Sequence, residues 1–409
     1  MSKIFFSIFL FLLLIFVVLL SINVFYDAPL FSSIDNNSRL RYLKELIIPK
    51  KERKIVYGFL PYWNVNDFIL EKELTHLSYF GLNIAANGEI SIKDEDGNLD
   101  PGYRTLNEEK FTELAEQMQN QGGKVELVLK QFNSADISAF LNNEKAHLTF
   151  FQSLDSLLLA YPVSGINIDI EYSGENSQAL RENFVTFMRK LDWYLDTKYK
   201  DVQISVDVYA SAASNSQSLW DIATIGQYVD YVVVMAYDFH QRSSSQAGPV
   251  APLFSESENS KWNKDINQNL KLFLDQIPRE KILLGIPFYG YGWQTDSNNP
   301  KANTFEDTGF TVSYKKAKEL LTLSENGNTD ENTWKGATQI KKSFDSDALS
   351  PYITYKQDGE FYTIYYEDSE SISYKLEYAR QLNLAGIAIW ALGYEDNDRE
   401  LWQVIADGI

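Results

Sequence analysis

Eight short apolar runs recur between residues 54 and 393: "KIVYGFL", "THLSYFGLNI", "KVELVLKQF", "GINIDIEY", "VQISVDVYA", "YVVVMAYD", "KILLGIPFYG" and "AGIAIWALG". Each has the length and composition of a buried strand. The segments between them, such as "EEKFTELAEQMQNQ", "ALRENFVTFMRKLDWYLDTKY" and "SISYKLEYARQLN", repeat apolar residues three and four apart, as an amphipathic helix does. Strand and helix alternating eight times predict an α/β fold, a closed parallel (β/α)8 TIM barrel with right-handed crossovers, over residues 54–409. One gap is too long for a single helix. Roughly ninety residues separate Tyr291 from Ala385, and within them "PYITYKQDGEFYTIYYED" reads as a β-hairpin turning at Asp358-Gly359. Residues 292–383 are therefore expected to contain a small α+β insertion between barrel strands 7 and 8.

Ahead of the barrel, Ile4 to Phe25 is apolar apart from Ser7, Ser21 and Asn23, about the length of a bilayer-spanning helix. Lys3 is the only charge before it and favours an inside N-terminus. Residues 1–25 thus read as a transmembrane helix, an uncleaved signal-anchor that leaves the barrel outside the cytoplasm. Cleavage there would give a secreted protein instead. Residues 26–53, with "SSIDNNS" and the charged "PKKERK", read as a linker.

A formal charge of -19 and a pI near 4.7 argue against a nucleic-acid partner, since no basic stripe offsets them. The chain has no cysteine, which excludes disulfides, thiolate metal sites and a cysteine nucleophile. Its three histidines, His76, His147 and His240, are far apart and without metal-ligand spacing, so no metal and no cofactor are expected. A monomer is expected. The 25 Tyr, 25 Phe and 8 Trp suit a large core and also a groove for sugar rings.

The fourth run is preceded by Ser164 and reads "SGINIDIEY". In an extended chain Asn167, Asp169 and Glu171 point to one face and Ile166, Ile168 and Ile170 to the other, which sets two carboxylates side by side. Burying acids is costly, so the pattern points to chemistry more than to packing. In a TIM barrel the site lies at the C-terminal strand ends. Those ends carry Asp207 and Tyr209 on the fifth run, Met235, Tyr237 and Asp238 on the sixth, and Trp390 on the eighth.

These residues resemble glycoside hydrolase family 18, the chitinases and their relatives. The positions of that family's fourth-strand signature, DGxDxDxE, are occupied by Ser164, Gly165, Asn167, Asp169 and Glu171, and its sixth-strand MxYD is matched by Met235, Tyr237 and Asp238. Its eighth-strand tryptophan matches Trp390, and "GPVAPL" at Gly248 to Leu253 is similar to the spore-cortex and cell-wall branch. The resemblance covers about residues 54–405. It implies a retaining, substrate-assisted hydrolase of β-linked glycans containing N-acetylglucosamine, peptidoglycan or chitin-like. It further implies Glu171 as general acid and base, Asp169 turned to the acetamide N–H, and Tyr237 donating to the acetamide carbonyl. Trp390 would lie under the sugar ring and Asp238 would bind its hydroxyls or acetamide, with Met235, Asn167, Tyr62 and Tyr209 as further substrate-binding candidates. Ser164 and Asn167 depart from the signature, and Asn167 is expected to hold Asp169 by a hydrogen bond without carrying charge. A shifted pH profile is expected to follow. The same departures leave open a second reading, a carbohydrate-binding barrel that has lost hydrolysis.

Each of Tyr62, Trp63, Tyr209, Tyr289, Tyr291 and Trp293 is equally a stacking platform or a packing residue, and Asp207 and Gln131 are candidates by strand position alone. The acidic stretches "KDEDGNLD" and "YEDNDRE" read as solvated loops.

Overall fold

The structure, a computed structural model, describes residues 54–409 apart from 95, 175–176, 200, 256–263 and 327–332. The apolar run 4–25 and the linker after it lie outside the described residues. Among those described, no helix is long and apolar enough to cross a membrane.

Seven strands come first: β1 (Ile55–Pro61), β2 (His76–Asn83), β3 (Lys124–Gln131), β4 (Gly165–Ile170), β5 (Gln203–Tyr209), β6 (Tyr231–Met235) and β7 (Ile282–Pro287). The chain then leaves for five others: β8 (Tyr289–Thr295), β9 (Phe310–Ser313), β10 (Thr338–Asp345), β11 (Ser350–Gln357) and β12 (Glu360–Tyr365). It returns as β13 (Gly386–Trp390), which pairs in parallel with both β7 and β1 and closes an eight-stranded barrel. The helices are α1 (Pro101–Leu106), α2 (Glu109–Asn120), α3 (Ser134–Leu141), α4 (Glu144–Ala160), α5 (Gln178–Lys198), α6 (Ile222–Ile225), α7 (Ile266–Leu274), α8 (Tyr314–Asn326), α9 (Ser369–Gln381) and α10 (Arg399–Gly408).

Local chemistry starts these helices where the sequence offers a cap. The Ser177 hydroxyl accepts from Leu180 N–H ahead of α5, Asn133 accepts from Ala135 and Asp136 ahead of α3, and Asp368 forms a capping box with Ser371 ahead of α9. The long α5 then buries one stripe, Leu180, Phe184, Phe187, Met188, Leu191 and Leu195, against the barrel wall.

The inserted segment forms an antiparallel sheet in the order β10-β11-β12-β8-β9. Asp358 and Gly359 both take left-handed backbone between β11 and β12, the two-residue hairpin turn that Asp-Gly favours. The insertion starts earlier than the 292–383 expected to contain it, and its sheet ends within that range. The run "KILLGIPFYG" is split after Pro287, so the second sheet begins at Tyr289. Gly290 makes this route possible, because a side chain there would lie 1.9 Å from the Tyr365 carbonyl oxygen. At the far end the sheet stops at Tyr365, and α9 packs on β7 and β13 as a barrel helix.

Alternation along the strands separates the inside of the barrel from the outside. Ile166, Ile168 and Ile170 of β4 join the main core between barrel and helices, while Asn167 and Asp169 face the axis. Inside, Tyr57, Phe59, Phe80, Val128, Val233, Leu283 and Ala388 form a separate apolar cluster. The β2 to β5 side of the same interior is polar, with Ser78, Glu126, Asn167, Ser205 and Asp207 all buried. A barrel packed for stability alone would avoid such acids.

Candidate active site

Glu171 directly follows β4, and its N–H is held by the Gln131 carbonyl at 3.0 Å. Asp169, two residues earlier, is 4% exposed and stands in register beside Lys130 of β3. Together with Asp207 and Tyr209 of β5, and with Met235, Tyr237 and Asp238 at the end of β6, these residues line a cavity of about 940 Å³. Trp390 lines it from β13, Phe80 and Phe132 from the β2 and β3 side, and Tyr289, Tyr291 and Thr311 from the inserted sheet. Trp390 packs edge-on to Phe80 with ring centroids 4.7 Å apart, and Phe80 in turn meets Trp63 edge-on at 6.1 Å.

Four carboxyls, Asp169, Glu171, Asp207 and Asp238, share this space. Burial pushes Asp169 well above the usual carboxylate range, and the charges of Asp207 and Glu171 add to the rise while Lys130 opposes it. Asp207 is pushed the same way, chiefly by burial, against a hydrogen bond from Asn167. Burial also raises Glu171, with Asp238 adding to it and the Tyr209 phenol acting against it. Burial thus favours the protonated form of each of these acids. Tyr237 lies among all four carboxyls, and burial followed by their charges keeps its phenol protonated as a donor.

Asp238 has φ 61°, the left-handed region, which turns its side chain out of the β6 line. Its Oδ1 accepts from the Tyr289 phenol and, at 3.0 Å, from the Tyr291 phenol. Burial raises its pKa, and these two bonds act against that rise. The inserted sheet therefore fixes one of the four carboxyls as well as walling the cavity.

Several sequence expectations need correction. Asn167 does not bond Asp169 and does not line the cavity. It is fully buried, and its amide donates to Ser205 Oγ at 2.9 Å and to Asp207 Oδ1 at 2.8 Å, because β4–β5 pairing sets Asn167 beside Ser205. Ser164 sits before β4, at the opposite strand end from Glu171. Tyr62 is not among the cavity's lining, since the 3-10 turn at Tyr62–Asn64 packs it against the core. Trp293 is fully buried in the second sheet and donates Nε1 to the Gln241 and Arg242 carbonyls at 3.2 Å, so it is a packing residue. Gln131 donates to the Ile84 carbonyl. The acidic stretches are not simply solvated: Asp100 caps α1, and Glu395, 1% exposed, accepts from Trp402 Nε1 at 3.1 Å and Gly393 N–H at 2.8 Å. Among the described residues, no group of three or more His, Asp or Glu could hold a metal.

Sequence reading missed Glu126 altogether, along with the α7 residues Gln268 and Asn269 that line the cavity. For Glu126 a signal existed: it is an acid at an alternating position of an apolar strand, the same pattern that singled out Asp169.

A closed barrel with acids clustered at the ends of β4, β5 and β6, under an aromatic wall, is the frame of a glycoside hydrolase. The chain belongs to the glycosyl hydrolases family 18, whose profile matches residues 49–395. It is 25% identical over 347 residues to YdhD of Bacillus subtilis, a protein named as a sporulation-specific glycosylase, covering 84% of this chain and 69% of that one. It is 27% identical over 329 residues to a Drosophila melanogaster protein named as chitinase 2, covering 79% of this chain and 66% of that one. The chain thus spans about two thirds of the length of these curated relatives. Among solved structures it is similar to the Ostrinia furnacalis Group IV chitinase in complex with allosamidin. The TM-score is 0.71 at 25% identity, covering 87% of this chain and 99% of that one.

Proposed function

We propose that this protein is a retaining, substrate-assisted hydrolase of β-linked glycans that carry N-acetylglucosamine. The observation that carries the reading is the joint placement of Glu171, Asp169 and Tyr237 around one cavity, with both acids raised by burial. Glu171, protonated, gives its proton to the glycosidic oxygen as the C1–O bond breaks. The carbonyl oxygen of the sugar's own 2-acetamido group bonds to C1, so no enzyme carboxylate forms a covalent bond. Asp169 accepts from the acetamide N–H, and Tyr237 donates to the acetamide oxygen. Glu171, now a carboxylate, takes a proton from water as the water oxygen attacks C1 and reopens the ring. The two displacements at C1 leave the β configuration unchanged.

Trp390 supplies an apolar surface under the reacting sugar, and Asp238, held by two tyrosines, a hydroxyl or acetamide acceptor. We favour a peptidoglycan substrate over chitin, with the barrel tethered by residues 1–25 outside the cytoplasm. Similarity to a glycosylase named for sporulation supports this, together with the apolar N-terminal run.

Product analysis tests the reading. The protein and its Glu171→Gln variant are incubated separately with chitooligosaccharides and with purified peptidoglycan glycan strands. N-acetylglucosamine-ended products that need Glu171 support it, and the faster of the two reactions identifies the substrate. Binding of both glycans without cleavage across a broad pH range would replace it with the carbohydrate-binding reading.

A further inference from the structure

Glu126 stands on β3 one layer below the candidate site, with its side chain inside the barrel and no exposed surface. Its Oε2 accepts from the Tyr57 phenol at 2.7 Å and from the Ser205 hydroxyl at 3.0 Å. Its Oε1 has no hydrogen-bond partner and faces Gly165, where any Cβ would lie 3.0 Å away. The chain of contacts continues upward. Ser205 Oγ accepts from the Asn167 amide at 2.9 Å, and the amide's second hydrogen goes to Asp207 Oδ1 at 2.8 Å. Two side chains, Ser205 and Asn167, therefore join Glu126 without a break to Asp207, whose charge acts on Asp169.

The direction of donation matters. Asn167 has two N–H groups and spends one on each neighbour, leaving the Ser205 hydrogen free to go to Glu126. An aspartate at 167, the residue the family signature carries, has no hydrogen for either neighbour unless it is itself protonated. It would also compete with Glu126 for the single Ser205 hydrogen. An acid at 167 and an acid at 126 are thus alternatives on one hydroxyl.

We propose that Glu126 is a positioning residue for the hydrolysis. It is the buried acid that stands on β3 in place of the carboxylate Asn167 lacks on β4, and it sets the proton sharing of Asp207 and Asp169 through Ser205 and Asn167. The inference rests on the reading that Asp169 and Glu171 carry the reaction. The groups that face Glu126 are Tyr57 from β1, Asp207 from β5, Tyr231 from β6 with Asp230 before it, and Lys124 on its own strand, while His76 of β2 stacks on Tyr57. Burial dominates and holds the Glu126 carboxyl up to about 7.

The test is a two-residue cycle: Glu126→Gln, Asn167→Asp and the double variant, each assayed for kcat, KM and pH profile on the better glycan. Glu126→Gln is expected to lower kcat on the order of tenfold with KM little changed, a size typical of coupling within one hydrogen-bond network. It is also expected to move the alkaline limb to lower pH, because a negative charge that raises the other acids is gone. Asn167→Asp is expected to lose activity similarly, and the double variant to recover most of it. Melting temperatures of all four proteins between about pH 5 and 8 give the same cycle without turnover. Recovery in the double variant there supports the exchange independently of catalysis. A native protein that cleaves neither glycan would count against the proposed function alone. Additive losses in both readouts, a double variant that does not fold, or a Glu126→Gln variant that is less stable but keeps kcat and pH profile, would overturn the proposal.

Discussion

Replacing Glu126 by glutamine is expected to change how the protein's stability depends on pH, by an amount the structure allows to be worked out. In the unfolded chain this carboxyl titrates at its ordinary 4.5, and in the folded barrel burial holds it up to about 7 against hydrogen bonds from Tyr57 and Ser205. Between those values the folded state keeps a proton that the unfolded state has released. The slope of stability with pH follows the difference in bound protons, unfolded minus folded, and is therefore negative in this window. The stabilisation from Glu126 is fully present below pH 4.5 and is lost as pH rises through about 7. At 1.36 kcal/mol per unit, a separation of about 2.5 units amounts to about 3 kcal/mol. Urea unfolding of the native protein and of Glu126→Gln, at several pH values on either side of this window, reads the residue together with its coupling to Asp207. The native minus variant difference should fall by about 3 kcal/mol from the acid to the alkaline end. A difference that is flat, or that grows with pH, would show that Glu126 is already ionised in the fold and would refute the burial argument.

Other sites give equally direct tests. Lys375 and Glu367 form a pair 2.6 Å apart with both side chains fully buried, so Lys375→Met should cost about 3–5 kcal/mol by leaving a buried acid alone. Adding Glu367→Gln should return most of the lost melting temperature, and a single variant as stable as the native protein would contradict the pairing. Burial raises the Asp238 pKa, and Tyr289→Phe removes one of the two Oδ1 donors that act against that rise. The acid limb of the kcat/KM profile should move to higher pH, and an unchanged limb would mean that Asp238 need not be ionised.

What the sequence made legible was whatever depends on period alone. Eight apolar runs, helical spacing between them and the Asp-Gly turn at 358–359 need no knowledge of neighbours. The acids of β4 were visible for the same reason, since alternation put Asp169 and Glu171 on one face of a strand whose other face is isoleucine. What depends on pairing between strands was not legible. Asn167 bonds Ser205 and Asp207 because of the register of β4 on β5, and no feature of "GINIDIEY" specifies that register. Glu126 shows the same alternation as Asp169, but "KVELVLK" has charges at both ends, and its bond to Ser205 depends on pairing between strands. Tyr289 and Tyr291 follow β7 without a break in composition, yet the chain changes sheet between Pro287 and Tyr289, and that change aims both phenols at Asp238. Tyr62 is half-buried and packed against the core by a single 3-10 turn after Pro61, a three-residue event that periodicity does not register.

The central claim is that the sugar's acetamide, and not an enzyme carboxylate, attacks the anomeric carbon, with Glu171 serving as acid and then base. The most direct measurement is proton NMR of the anomeric region in the first minutes after the full chain meets a chitooligosaccharide, before mutarotation mixes the products. The account predicts that the β-anomer appears first, that Glu171→Gln forms neither anomer, and that the matching oligosaccharide without acetamido groups is not cleaved. Initial release of the α-anomer, or cleavage of the sugar lacking the acetamide, would contradict it.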